Sequence, residues 1–176
     1  MKLFRFPLGR AVVALALVAA SAGLAACSPA ATPQQAVQGV EKPAPWNRST
    51  PQNAIRSYLD WTSFAYRMVN SDVATQTMSA DEEVRVNSFV ELNKENNKII
   101  NQRLVAITFG KPSTEATKTL VPTHESWEYS YLALDSLKSV SPTYTASYEV
   151  TYTVISPRRG LWVVDSVNAK PLGEVK

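Results

Sequence analysis

Only one small group of side chains in this sequence offers a candidate general acid or base. His124 is the only histidine, and the carboxylates that could partner it are Glu125, Glu128, Glu149 and Asp165. A carboxylate that faces an apolar pocket can act as a general base when burial raises its pKa. An enzyme built on this chain would therefore use Asp165 or His124 as its base.

Both residues also have a simpler structural interpretation. Asp165 interrupts the apolar side of a strand pattern, but near a strand end its carboxylate would only pair with Arg158 or Lys170. His124 follows Pro122-Thr123, a turn-like context that favours a surface position. The sequence therefore favours a non-enzymatic protein and leaves the pocket enzyme, of the isomerase or cyclase kind, as the alternative.

Aromatic side chains are frequent in the C-terminal half of the chain. They could line a cavity for an apolar ligand, or they could pack between a sheet and its helices. Tyr148, Trp162 and Asp165 are the candidate pocket residues. The tryptophans and tyrosines of this half are Trp127, Tyr129, Tyr131, Tyr144, Tyr148, Tyr152 and Trp162.

Cofactor and metal motifs are missing from the sequence. It contains no phosphate-binding Gly-rich loop, no C-x-x-C and no H-E-x-x-H pattern, so we expect neither a cofactor nor a metal site. The single cysteine excludes an intramolecular disulfide.

The charge of the chain is concentrated at its N-terminus. The formal net charge is +3, from 18 basic and 15 acidic residues, and Lys2, Arg5 and Arg10 are the only charges before Glu41. Without these three basic residues, the rest of the chain has a net charge of zero. We therefore expect no nucleic-acid partner.

The first 26 residues have the order of an export signal. A short basic segment precedes an apolar run from Ala11 to Ala20, and small residues follow. The run is too short and too interrupted to be a good transmembrane span. We therefore predict a signal peptide over residues 1–26.

The residues at the end of this signal carry a resemblance to a known class. Leu24-Ala25-Ala26-Cys27 resembles the lipobox of bacterial lipoproteins, in which two small residues precede the cysteine. The resemblance implies cleavage between Ala26 and Cys27 and a diacylglyceryl group on the Cys27 thiol, with palmitate-type acyl chains. Two or more chains, at about 0.8 kcal/mol per buried methylene, would anchor the protein permanently in a membrane.

Two other interpretations of Cys27 compete with lipidation. Ala20-Ser21-Ala22 fits an A-x-A cleavage site of ordinary secretion, which would release the protein with a free thiol. Alternatively, Cys27 is merely a small apolar residue.

Proline dominates the segment that follows. Residues 28–48 include Pro29, Pro33, Pro43 and Pro45 and show no helical or strand period. If the segment were wholly polyproline-like, it would reach roughly 65 Å. We assign residues 27–49 to a lipidated cysteine with a Pro-rich tether and residues 50–176 to a single domain.

Two amphipathic helices are predicted at the start of this domain. Thr50-Pro51 is a typical helix start, and apolar residues recur at helical spacing over residues 51–71. Ser79 and Glu82 form a capping box that opens a second helix, whose face continues through Val86 and Phe89 as far as Ile100.

Strand patterns occupy the rest of the chain. Residues 102–109, 116–121 and 126–134 are predicted strands, the last two being separate or joined across Pro122. Residues 143–155 alternate strictly between apolar and polar positions. A hairpin turn over residues 156–160 and a last strand over residues 161–167 follow.

The predicted fold class is α+β, with two N-terminal helices packed on a curved, roughly four-stranded antiparallel sheet. This element order resembles the cone-shaped fold of the nuclear-transport-factor-2-like superfamily. It is also similar to the related domain of plastid-division inner-envelope proteins, in which a Trp opens the last strand as Trp162 does here. The resemblance covers residues 50–172 and implies an apolar pocket that some members use for catalysis and others for binding.

These expectations combine into a membrane-anchored, extracytoplasmic lipoprotein of the bacterial cell envelope. Its anchor is the lipid on Cys27, in the cell membrane or an outer membrane. Its small domain binds a protein partner or an apolar ligand.

Overall fold

The computed structural model describes residues 41–173. The predicted export signal, Ala26 and Cys27, and the predicted tether as far as residue 40 lie outside this range. The elements follow in the order α1 (Pro51–Met68), a 3-10 helix (Ser71–Thr77), α2 (Ala80–Glu95), β1 (Lys98–Phe109), β2 (Ser113–Glu115), β3 (Lys118–Ala133), β4 (Tyr144–Arg158) and β5 (Leu161–Pro171).

Helix α1 begins where the sequence predicts. The Thr50 hydroxyl accepts from the Asn53 amide at 3.2 Å, and Pro51 takes the first helical position. The helix ends at Met68, three residues before the predicted end, because Val69 adopts a left-handed conformation (φ 51°).

Helix α2 shows one half of the predicted capping box. The Ser79 hydroxyl accepts from the Glu82 amide at 3.4 Å, but the Glu82 carboxylate turns inward to Tyr58 instead of back to Ser79. The helix ends at Glu95, and Asn97 (φ 53°) turns the chain into β1. Ile100, predicted to lie on the helix face, is therefore part of a strand.

The strands form an antiparallel sheet of five strands, in which β1, β3, β4 and β5 lie side by side and β2 also pairs with β3. The α+β class is confirmed. The predicted count of about four strands is one too low, because the three exposed residues of β2 carry no alternating pattern.

Strand β3 is continuous across Pro122. Its pairing changes there from β2, at Leu120, to β1, at Thr123. A proline lacks the N–H that a strand interior would use, so a change of partner is a suitable place for it. The Pro122 carbonyl still accepts from the Gly110 amide at 2.8 Å.

The predicted turn between β4 and β5 is too long. Strand β4 continues to Arg158, which pairs with Leu161, so only Arg159 and Gly160 form the turn. Gly160 has a φ of 77°, which a residue with a side chain rarely adopts.

The core lies between α1 and one side of the sheet, here called the inner face. The predicted alternation of β4 is confirmed, since Val150, Tyr152 and Val154 are buried there and Glu149 on the opposite, outer face is exposed. The helices contribute Ile55 and Trp61 of α1, with other buried residues, to the same hydrophobic core.

Residues 41–49, which the sequence assigns to the tether, lie against the domain and are here called the strap. The rings of Trp46 and Trp61 pack with centroids 5.3 Å apart, and the Trp61 indole donates to the Ala44 carbonyl at 3.1 Å. The Ser57 hydroxyl accepts from the Asn47 amide at 2.9 Å and donates to the Asn47 carbonyl at 3.0 Å. The packed part of the chain therefore begins several residues before position 50.

The strap also reaches the last strand. The amide of Trp162 donates to the Arg48 carbonyl at 2.9 Å, and the Arg48 guanidinium donates to the Gln76 carbonyl at 2.6 Å. Because proline patterns show only that a segment is not helical, the sequence could not show that these residues pack.

Candidate functional site

His124 lies on the outer face of the sheet, in a row of side chains that crosses four strands. The strand register places it between Thr108 of β1 and Glu149 of β4, and Glu149 in turn opposite Lys170 of β5. Neighbouring positions on antiparallel strands bring side chains within reach of one another. His124, Glu149 and Lys170 are all exposed, so imidazole, carboxylate and ammonium are presented together to solvent.

This row forms part of an open groove of about 550 Å³ on the sheet. Its lining combines polar side chains, among them His124 and Glu149, with apolar surface from Phe109, Pro122 and Val150. The lining residues are Thr108, Phe109, Gly110, Pro122, Thr123, His124, Glu149, Val150, Thr151, Asn168 and Lys170.

A second open groove, of about 360 Å³, involves the neighbouring hydroxyls of Ser126 and Ser147, whose oxygens are 3.2 Å apart. Val105 and Leu172 also line it, and both are exposed. The polar character predicted for this side of β4 therefore extends to the neighbouring strand.

Glu125 lies on the opposite side of β3 from His124, because consecutive strand residues point to opposite faces. It is 2% exposed. Its Oε1 accepts from the Thr123 hydroxyl and from the Tyr152 phenol, both at 2.8 Å, and its Oε2 accepts from the Trp127 indole at 2.9 Å. Glu125 is therefore not a partner for His124.

A second buried carboxylate, Glu82 of α2, is held in a similar way. Its Oε1 accepts from the Tyr58 phenol at 2.7 Å and its Oε2 from Arg85 at 2.9 Å. Burial, with a further contribution from the neighbouring carboxylate, raises the pKa of Tyr58 and of Tyr152 well above the usual value for a phenol. Both phenols thus remain protonated donors, and the two carboxylates have their hydrogen bonds satisfied within the core.

Asp165 does not face an enclosed pocket. The register skips it between Val164 and Ser166, so it lies at a bulge in β5. Its Oδ2 accepts from Lys118 Nζ at 2.9 Å, and this hydrogen bond lowers the pKa of the Asp165 carboxyl. A general base would need the opposite shift, so the pairing with Lys118 makes Asp165 a salt-bridge residue. The predicted partners Arg158 and Lys170 are wrong, because the strand register places Arg158 opposite Leu161 and Lys170 opposite Glu149.

The candidate pocket residues Tyr148 and Trp162 are not brought together. Tyr148 pairs with Pro171, and Trp162 lies nine residues earlier in β5. At about 3.3 Å per residue this places them roughly 30 Å apart along the sheet. Each packs, half-buried, against the core, and neither lines the two grooves on the outer face. The strand register therefore does not bring Tyr148, Trp162 and Asp165 together in one pocket.

The remaining aromatic residues divide between core and surface. Tyr152 is buried in the core, whereas the tyrosines at the other end of the sheet form a half-buried cluster. In that cluster Tyr129 packs against Tyr144 at 5.3 Å and against Tyr131 at 6.1 Å between ring centroids. The aromatics thus serve packing more than a shared cavity.

The sequence did not predict Lys170 as a member of the row with His124, or Asn168 as a residue of the groove, because the predicted last strand ends at Val167. From the sequence, Glu125 was considered only as a partner for His124. The buried network could have been predicted from the position of Glu125, which lies on the same face of β3 as Thr123 and Trp127 and points inward.

Within residues 41–173, no cluster of three or more His, Cys, Asp or Glu side chains is arranged to hold a metal ion. None of the helices in that range is both long enough and apolar enough to cross a bilayer.

Comparisons with known proteins give structural likeness only. No protein-family model and no curated protein matches the sequence. The intermembrane space region of chloroplast protein ARC6 superposes with a TM-score of 0.60 at 10% identity, covering 73% of this chain and all of that one.

Two further structures are less similar. A conserved protein from Planctomyces limnophilus has a TM-score of 0.45 at 14% identity and covers 69% of this chain and 97% of its own. A periplasmic fragment of TraM has a TM-score of 0.45 at 11% identity, with coverage of 69% and 98%. The likeness to the ARC6 region shows that this chain has an α+β fold of the same general kind.

Proposed function

We propose that this chain is a lipoprotein, anchored through Cys27 on the extracytoplasmic side of a membrane, and that its domain is a binding module and not an enzyme. The anchor is supported by the position of the only cysteine, directly after Leu24-Ala25-Ala26 at the end of an export signal. The binding role is supported by one structural observation: the polar row of His124, Glu149 and Lys170 lies on an open sheet face.

The state of the buried acids favours binding over catalysis. Glu125 and Glu82 are the deeply buried carboxylates of the described core, and each is occupied by two or more donors from its own surroundings. A carboxylate so held is poorly placed to take a proton from a substrate. Of the two candidate bases of the enzyme alternative, Asp165 is occupied by Lys118 and His124 is exposed on the open sheet face.

The open shape of the grooves favours a protein partner over an apolar small ligand. The inner face of the sheet is filled by α1 and by its own aromatic and branched side chains. The two grooves on the sheet are open, and hydroxyl, amide and charged groups alternate there with apolar surface from residues such as Pro122 and Leu172. A protein surface offers matching groups more readily than an apolar small molecule does.

We also propose a shape for the sheet. A curved, cone-like sheet of the nuclear-transport-factor-2-like kind, with its helices on the inner side, is supported by the packing of α1 against Val121, Val150 and Val154. The TM-score of 0.60 with the ARC6 region supports an α+β fold of comparable size.

The anchor is tested by Cys27→Ser in the producing bacterium. We expect the wild-type protein in the membrane fraction, with the mass of a diacylglyceryl-modified chain that starts at Cys27. The variant should lose both the lipid mass and the membrane association. A variant that stays membrane-bound with an unchanged mass would overturn the lipoprotein proposal.

The binding role is tested separately, on the full chain purified from its own membrane. Affinity capture from envelope extract, followed by native mass spectrometry, should yield a partner that is lost when His124→Ala and Glu149→Ala are combined. The matched control is Glu115→Ala, an exposed residue of β2 away from the row. Recovery of neither a specific partner nor a bound molecule would count against a binding module.

A further inference from the structure

Helix α2 carries apolar side chains on two opposite sides. Val86 and Val90 are buried against the domain, whereas Val84 is 65% exposed and Leu92 is 53% exposed. With 3.6 residues per turn, positions 84, 88 and 92 form one ridge along the solvent side, with its ends about 12 Å apart. With the adjoining Phe89, three large apolar side chains of this one helix are exposed, whereas single scattered ones are the ordinary case on a protein surface.

The centre of this ridge is small. Ser88 lies between Val84 and Leu92, and its hydroxyl is turned back to the Val84 carbonyl at 2.7 Å. A small residue between two larger ones leaves a notch into which the ridge of another helix can pack. Phe89 borders the notch; its ring packs edge-on against Tyr66, at 5.4 Å between centroids, and is 43% exposed.

The charges around the ridge are mostly negative. Helix α2 contains five acidic residues and two basic ones. Both basic residues have partners within the helix: Arg85 pairs with Glu82 at 2.9 Å and Lys94 with Glu91 at 3.2 Å. Among the residues the structure describes, the ion pairs include none for Asp81, Glu83 or Glu95.

This charge selects among possible occupants. A second copy of α2 would bring like charges together, and an anionic lipid surface would repel the same carboxylates. A helix with apolar residues at spacings of three and four, flanked by lysine or arginine, would complement both the ridge and the acids.

We propose that the outer side of α2, formed by Asp81, Val84, Ser88, Leu92 and Glu95, binds a basic amphipathic helix of a partner protein. This inference rests on the proposed binding function and gives it a second surface, separate from the groove around His124. Val84 and Leu92 supply the apolar contact, Ser88 permits close approach, and the carboxylates set the partner's charge.

The test uses the full-length, detergent-solubilised protein and two designed helical peptides of one pattern, the first made of Leu and Lys and the second of Leu and Glu. Binding is followed by fluorescence anisotropy of the labelled peptide. We expect the Leu/Lys peptide to bind and the Leu/Glu peptide not to bind. Combining Val84→Ser with Leu92→Ser should weaken binding at least about tenfold.

Two controls locate the binding and separate its two contributions. Val140→Ser removes an equally exposed apolar residue (53%) from the loop between β3 and β4, and should leave binding unchanged. Asp81→Asn with Glu95→Gln should weaken binding about two- to fivefold at low salt and have little effect at high salt. Circular dichroism checks that each variant retains the wild-type helix content.

Equal binding of the two peptides, or an undiminished affinity of the Val84→Ser, Leu92→Ser protein, would overturn the inference. Binding of vesicles rich in anionic lipid through this face would also overturn it. These failures are distinguishable from a failure of the proposed function, which would show as loss of partner capture by the wild-type protein or as unchanged anchoring of Cys27→Ser.

Discussion

Tyr152 donates its phenol hydroxyl to Oε1 of Glu125 at 2.8 Å, and both side chains are buried. The two residues are 27 positions apart in the sequence and lie on neighbouring strands. Thr123 and Trp127 supply the other donors. The carboxylate therefore connects β3 and β4 through side chains as well as through the backbone, and the core tolerates it because its oxygens are hydrogen-bonded.

Glu125→Gln should destabilise the domain by about 1–3 kcal/mol. The amide has one oxygen where the carboxylate has two, and the Trp127 indole can only donate. The hydroxyls of Thr123 and Tyr152 would have to reorient, and charge-assisted hydrogen bonds would become neutral ones. Urea unfolding measures the change.

Glu149→Gln is the matched control for this experiment, since Glu149 is exposed on the outer face of the sheet. Its effect should remain within about 0.5 kcal/mol. Equal effects of the two substitutions would show that the buried network contributes no more to stability than a surface carboxylate.

Ser57→Ala should release the strap. It removes both hydrogen bonds between the Ser57 hydroxyl and the backbone of Asn47, and we expect a loss of about 1–2 kcal/mol. Limited proteolysis should cut residues 41–48 faster in the variant than in the wild-type protein. Ser88→Ala is the matched helical control, and it should change neither stability nor cleavage appreciably. Unchanged cleavage in Ser57→Ala would mean that the contacts of Trp46 and Arg48 are sufficient to hold the strap.

The stability of the domain should fall at alkaline pH. Burial, followed by the charge of Glu82, raises the pKa of Tyr66 to about 12. Below the unfolded pKa near 10 both states keep the proton, and the contribution of Tyr66 is fully present. Between about pH 10 and 12 the unfolded state releases the proton first, so the free energy of unfolding falls by about 1.4 kcal/mol per pH unit for this group.

Tyr66→Phe tests that slope, because it keeps the ring that packs against Phe89 and removes the titrating hydroxyl. Urea unfolding over this pH range should give a shallower decline for the variant. Tyr58 and Tyr152 have pKa values raised in the same direction, so some decline should persist. Identical slopes for wild type and variant would contradict the assignment to Tyr66.

The pair of Asp165 and Lys118 should contribute little at neutral pH. The Lys118 side chain is 55% exposed, and for such pairs the expected loss on Asp165→Asn is below about 1 kcal/mol. The lowered pKa of Asp165 means that its contribution is present above the ordinary carboxyl value and is lost as pH falls through the lowered one. The stabilities of wild type and variant should therefore converge in strong acid.

Lys118→Met is the control, because it removes the other partner of this salt bridge. It should reproduce the small loss of Asp165→Asn in the same unfolding assay. A loss above about 2 kcal/mol in Asp165→Asn alone would point to a role for Asp165 beyond the salt bridge.

The elements with a strong local signal were predictable from the sequence. Thr50 and Ser79 cap their helices as predicted, and the alternation of β4 correctly assigns its buried side. The 3-10 helix and β2 were missed, since both are short and lack a periodic apolar pattern. Helix α1 ends because Val69 adopts a left-handed conformation. This conformation is rare for a β-branched residue, so the sequence does not predict it.

The candidate site was less predictable, because register decides it. His124 and Glu149 face one another only because β3 and β4 pair in one particular alignment, and a shift of one residue would place them on different faces. The strap is held by contacts of Trp46 and Asn47 with α1, and amino-acid composition does not predict such contacts. The pairing of Asp165 with Lys118 joins residues 47 positions apart.

The register shift in β1, between Leu104 and Ala106, affects how readily neighbouring copies of the protein could pair through this strand. Strand β1 lies at the margin of the sheet, and a long regular margin would invite the strand of a neighbouring molecule to add to it. Proteins confined to a membrane by lipid, as proposed for Cys27, meet one another far more often than molecules free in solution. A bulge at Val105 interrupts the hydrogen-bonding ladder of this margin, so crowded copies would lack a straight template for aggregation.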